Sequence, residues 1–162
     1  MHQPPLVLFF GVGFVDSRNR HMKSDLREFV VPTIRFPKLP LLDSVVQTCG
    51  KSGDLLEDTA IIAVQHLLET TGSLFEALFS LGLDPRRTFV LGKLYSTNSA
   101  VEDDLRHLGI HVLQPSQQFP WGGFSSQFRS DVRGLWSYAA SRIPDAVRKV
   151  LVLDDGGFAL AT

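Results

Sequence analysis

Thr59-Ala-Ile-Ile-Ala-Val64 is an unbroken run rich in β-branched residues, of strand length. Such a run suits a strand buried on both faces. Glu69–Leu81 follows as a helix, with Leu74, Leu78 and Leu81 on one face and Gly82 as its stop. Thr88–Leu91 reads as a second strand. Ser99–Leu108 reads as a second helix, with Val101, Leu105 and Leu108 facing inward and Gly109 ending it. Ile110–Leu113 is a third strand, Gln114–Ser126 a loop, Phe128–Ser141 a third helix and Val150–Leu153 a fourth strand. This alternation predicts an α/β fold: a three-layer, Rossmann-like domain with a mostly parallel sheet.

Toward the N-terminus the pattern is looser. Leu6–Phe10 reads as a buried strand, and Gly11-Val-Gly13 follows it. The third glycine position of a dinucleotide loop is taken by Asp16, so a tight turn is the simpler reading. Ser17–Phe29 is polar, with Leu26 and Phe29 as a weak helical stripe. Pro32, Pro37 and Pro40 predict an extended connector, because proline removes an amide donor. Leu41–Thr48 suggests a helix closed by Gly50. The expected organisation is an N-terminal extension, residues 1–50, packed on a core formed by residues 51–162.

Bulk properties narrow the function. The chain has 162 residues, 44% of them hydrophobic and 20% charged, and a formal charge of −1. There is no basic footprint for nucleic acid and no polybasic membrane patch. The apolar stretch Pro4–Val15 is too short to span a bilayer, and it lacks the basic start and small-residue cleavage site of a secretory signal. The single cysteine, Cys49, excludes an internal disulfide and fits a reducing, cytoplasmic setting.

His2, His21, His66, His107 and His111 form no helical metal pair, since Gly109 interrupts the spacing from His107 to His111. Surface or edge positions account for them. Three polar clusters are more informative, because each follows a strand. Gln65-His-Leu-Leu-Glu69-Thr70 joins the first strand to its helix. There Glu69 either caps the helix through its dipole or accepts a hydrogen bond from an exocyclic amine. Lys93-Leu-Tyr-Ser96-Thr97-Asn98-Ser99 follows the second strand, its hydroxyls serving as helix caps or as groups for a ribose or carboxylate. Leu153-Asp154-Asp155-Gly156-Gly157 follows the fourth. Of its two carboxylates, one can cap the next turn while the other faces a pocket. Ligands of open α/β sheets bind beyond the carboxyl ends of the strands, so the clusters imply one shared crevice.

Taken in order, these clusters resemble the substrate domain of the adenosylhomocysteinase family. Its pattern is approximately His-Met-Thr-x-Glu/Gln-Thr, then Asn-x-x-Ser-Thr-Gln-Asp, then Leu-Asp-Asp-Gly-Gly-Asp. Leu74-Phe-Glu-Ala-Leu78 and Leu108-Gly-Ile110 are also similar to family pieces, and the resemblance covers about residues 59–157. It implies reversible cleavage of S-adenosylhomocysteine through NAD-dependent oxidation of the ribose. It makes Asp155 the catalytic carboxylate and Glu69 the adenine contact. It places Gln65, Leu67, Thr70, Lys93, Ser96, Thr97 and Asp154 in the substrate site.

The chain departs from the family at several of these positions. Gln65 and Leu67 replace a His and a Thr, Lys93 an Asn, Asn98 a Gln, and Ser99 and Phe158 each an Asp. The glycine-rich NAD domain is not recognisable. The expectation is a divergent substrate-binding domain, truncated at the C-terminus and inactive alone. It would bind no cofactor itself, NAD belonging only to a full-length member. The alternative is a stand-alone module that binds a nucleoside, an adenosine-like molecule, or a protein partner.

Overall fold

A computed structural model describes residues 36–50, 55–118 and 123–160. The expected strand Leu6–Phe10, the Gly11-Val-Gly13 turn, the stripe of Leu26 and Phe29, and Pro32 lie outside the described residues. The described residues belong to one compact unit, Thr33–Thr162. Its elements run α1 (Pro40–Cys49), β1 (Thr59–Leu67), α2 (Glu69–Phe79), β2 (Thr88–Thr97), α3 (Ser99–His107), β3 (His111–Leu113), α4 (Gly123–Ala140) and β4 (Lys149–Asp154). The strands form one sheet in the order β3-β2-β1-β4, and every pairing is parallel. The domain is a three-layer, Rossmann-like α/β structure.

β1 is central because its residues can be buried from every side. Thr59 to Val64 are all buried, with β2 on one edge and β4 on the other. Successive side chains point to opposite faces. Ile61, Ala63 and Leu67 enter a core with Phe75, Val90, Val101 and Leu105, beneath α2 and α3. Ile62 and Val64 enter a second core with Phe89, Leu91, Phe128, Val132 and Leu135, beneath α4. Because helices cover both faces, the run is continuously apolar and not alternating.

The helical faces differ in part from the expected ones. α2 buries Thr71, Gly72, Ser73 and Phe75, while Leu74 and Leu81 are only half-buried. Phe36 is the cause. It is 6% exposed and joins the same core, and its ring lies where a Cβ on Gly72 would be. Ser73 Oγ donates to the Pro37 carbonyl at 2.6 Å. The proline-containing piece is thus strapped onto α2, and Pro40 opens α1, where its missing N–H costs nothing.

In α3, Val101 and Leu105 are buried as expected, but Leu108 lies beyond the last turn and is 41% exposed. α4 starts at Gly123, inside the stretch expected to be loop, because Phe124 stacks on Phe128 one turn later. Among the described strands β4 lies at an edge, and Val150 and Leu151 are exposed. No helix among the described residues is long and apolar enough to cross a membrane.

Asp84 fixes the entry to β2. Its carboxylate accepts the Arg86 amide at 2.9 Å and so caps the short 3-10 turn Pro85–Arg87. The Arg86 guanidinium also binds it at 2.8 and 3.0 Å, holding the carboxyl below the usual carboxylate range. Arg86 is largely exposed, so the cap outweighs the ion pair. Asp84→Ala should lower stability by about 1 kcal/mol, read as a urea midpoint shift. The folded state binds this proton less tightly than the unfolded chain. The electrostatic part is therefore complete above about pH 4 and vanishes as pH falls through the lower folded value. An acid titration of stability should accordingly be shallower in the variant than in the parent.

Candidate functional site

Strand parity decides which side chains meet at the carboxyl end of the sheet. On β1, Ile62 and Val64 face α4, and His66 continues that row; on β2, Phe89 and Leu91 do, and Lys93 continues theirs. Asp155 follows β4, anchored by its amide to the Val64 carbonyl at 3.0 Å. The three side chains converge. His66 Nε2 lies 3.0 Å from Asp155 Oδ2, Lys93 Nζ lies 3.4 Å from the same oxygen, and Lys93 Nζ lies 3.1 Å from His66 Nε2. The Lys93 side chain is 5% exposed and that of Asp155 51%, so a cation at the base is covered by a carboxylate at the mouth. β1 and β4 are also the strands between which the winding reverses, the usual ligand position in such sheets.

The triangle has a chemical consequence. His66 Nε2 offers a single hydrogen-bonding direction. It accepts from Lys93 or donates to Asp155, but never both at once. One side of the triangle therefore always lacks a hydrogen bond, and an incoming polar group gains a partner there.

An irregularity in β2 shapes the rim. Gln65 pairs with Gly92 and Leu67 with Thr97, so His66 alone stands opposite Lys93–Ser96. Thr97 Oγ1 donates to the Lys93 carbonyl at 2.9 Å and closes this bulge. Tyr95 is thrown outward, 68% exposed. Its ring meets His66 edge-on, with centroids 5.6 Å apart.

The expected site residues divide accordingly. Of the paired carboxylates, Asp154 caps the following turn, accepting the amides of Phe158 and Ala159 at 3.1 and 2.8 Å, and Asp155 joins Lys93. Glu69 lies in the first turn of α2, where its charge suits the helix dipole, although the N-cap, Leu68, makes no side-chain bond. Glu69 Oε1 also accepts from Asn98 Nδ2 at 2.9 Å, and it is Asn98 Oδ1, not a Ser or Thr hydroxyl, that caps α3 by accepting the Ala100 amide. Ser96 and Thr97 are half-buried on the bulge, and Thr70 is exposed on α2. Gln65 has the opposite parity from His66. Leu67 is 1% exposed, packed in the core beneath α2, and so is withdrawn from any ligand.

His66 is the residue that sequence reasoning passed over. The resemblance puts Gln65 at the histidine position, and the surface-or-edge reading covers the neighbouring histidine. The missed signal was parity: Val64 and His66 form one row, Leu91 and Lys93 the next. Of the remaining histidines among the described residues, neither joins the cluster. His107 is exposed, and His111 stacks on Phe89 with centroids 4.8 Å apart. No group of three or more metal-ligating residues occurs among the described residues.

An open groove of about 290 Å³ runs along β3, lined by Arg106, His111 and Tyr138 among others. Its polar groups are engaged internally, Arg106 with Glu102 and with the Val112 carbonyl. The carboxyl-end cluster, which joins three neighbouring strands, is the better candidate on chemical grounds.

No family model matches the chain. Two proteins of Mycobacterium tuberculosis are similar to it, each 37% identical over 124 residues: uncharacterized protein Rv0104 of strain ATCC 25618 / H37Rv and uncharacterized protein MT0113 of strain CDC 1551 / Oshkosh. The match takes in 75% of this chain and 24% of each relative, so the chain spans about a quarter of the length of the curated relatives it matches. No solved structure matches it.

Proposed function

We propose that the cluster at the carboxyl ends of β1, β2 and β4 binds a nucleoside-like small molecule. On this reading the domain is a divergent, adenosylhomocysteinase-like substrate-binding unit that does not run that family's reaction alone. The supporting observation is the meeting of Lys93, His66 and Asp155, from three neighbouring parallel strands, within 3.0–3.4 Å. Glu69 is held at the same end of the sheet by Asn98. A carboxylate retains acceptor capacity after one such bond, which suits an exocyclic amine. Asp155 and His66 are the groups proposed to touch the reacting part of the ligand.

Among the described residues, the β1–α2 junction does not fit the diphosphate of NAD. A dinucleotide site needs a glycine-rich turn between strand and helix. The β1–α2 junction here reads Leu67-Leu68-Glu69, with a carboxylate where a diphosphate would lie. No redox step is assigned to this domain. A cytoplasmic setting accompanies the proposal, in keeping with the single Cys49.

Calorimetry with adenosine and S-adenosylhomocysteine tests the reading. Saturable binding should weaken about tenfold or more in Glu69→Ala, the loss of one hydrogen bond to a charged group. Silence toward both nucleosides would instead favour a protein-interaction module. That second reading has its own observation, the edge of β4, which pairs with no further strand among the described residues and leaves Val150 and Leu151 exposed.

A further inference from the structure

We propose that Lys93 and His66 form a site for an oxyanion, the carboxylate or phosphate group of a small molecule, and that Asp155 is its built-in occupant. The inference rests on the cluster being a ligand site and adds the charge of the ligand. Both nitrogens address one atom, Asp155 Oδ2, at 3.0 and 3.4 Å. A lysine that is 5% exposed is a costly group to bury unless a negative charge accompanies it. That charge is supplied by the most exposed member of the cluster, which sits at its mouth.

The Asp155 amide stays on the Val64 carbonyl, so only its side chain has to turn aside, and the segment that carries it leaves room for this. It runs directly into Gly156 and Gly157, both at positive φ, +112° and +76°. A Cβ at Gly156 would come within 3.4 Å of Lys93 Nζ, so glycine keeps the space over the ammonium open. The backbone amides of Gly156 and Gly157 have no hydrogen-bond partner among the described residues, and a backbone of this kind suits anions. The neighbouring carboxylates do not compete for Lys93: Asp154 holds the Phe158 and Ala159 amides, and Glu69 holds Asn98.

Inorganic phosphate, and acetate in a parallel series, are the probes, read by calorimetry and thermal shift on the full chain. Asp155→Ala should bind at least one of them about tenfold or more tighter than the parent, because an internal competitor is gone. Which of the two gains separates a phosphate ligand from a carboxylate one. Adding Lys93→Met to Asp155→Ala should abolish the gain. A folded Asp155→Ala that binds neither anion more tightly overturns the inference, as does a gain that survives Lys93→Met. Asp155→Asn repeats the test with the side-chain shape retained, should the alanine variant not fold. Tighter phosphate binding without adenosine binding keeps this inference and removes the nucleoside reading. Adenosine binding with no anion gain in Asp155→Ala does the reverse.

Discussion

Gly72→Ala should destabilise the domain by about 2–4 kcal/mol, against the usual rule for a helix interior. Alanine normally gains about 1 kcal/mol over glycine there. Gly72 lies in α2 with the Phe36 ring against its Cα, and the added methyl would occupy space the ring already fills. Phe36 is 6% exposed, and loss of a buried phenylalanine costs about 3–5 kcal/mol. Partial retreat of the ring keeps the net effect somewhat smaller. The decisive comparison uses the Phe36→Ala background. With no ring to meet, Gly72→Ala should become stabilising by about 1 kcal/mol. Urea midpoints for the four chains of this cycle give the answer. A midpoint that rises with Gly72→Ala while Phe36 is intact would show that the ring does not pack on α2.

A second large effect concerns the charged triangle, and it too runs against a simple burial rule. Asp155→Ala should be more damaging than Lys93→Met, although Asp155 is 51% exposed and Lys93 5%. Removing the carboxylate leaves an almost buried ammonium with His66 as its remaining side-chain partner, a loss of about 1–3 kcal/mol. Lys93→Met removes the charge and keeps much of the stem, while Asp155 turns to water. Exchange of a buried ion for an apolar group of similar size is often close to neutral. Thermal unfolding of both variants tests the order. Equal destabilisation would mean that Asp155 does not compensate Lys93.

Much of the fold was legible because helices and sheet share one apolar logic. Thr59–Val64 announced the central strand, and Val101 and Leu105 announced the inward face of α3. What escaped was long-range. Nothing local to α2 reveals that Phe36 will lie over Gly72 and turn Phe75 inward in place of Leu74. Nothing local to β2 reveals that it stays paired beyond Gly92 through a bulge, since a run from Lys93 to Ser96 breaks the apolar pattern. The candidate site was half legible. Lys93 and Asp155 stood out as polar residues at strand ends, but His66 was hidden because the resemblance drew its neighbours Gln65 and Leu67 into the site in its place. The Glu69–Asn98 pair was hidden for a different reason: the dipole of α2 is an adequate local explanation of Glu69, and the Ser and Thr hydroxyls drew the capping role that Asn98 holds.

The order in which the strands are made bears on how the cluster comes into being. β1 pairs directly with β4, the last strand in sequence among those described. During synthesis His66 and Lys93 leave the ribosome well before Asp155. Until β4 docks, the ammonium has no carboxylate beside it, and the inner edge of β1 stays open to other strands. Contacts between distant segments form slowly. The nascent domain therefore passes through an interval in which this charged corner is unfinished, the period when a chaperone or a free anion would matter most.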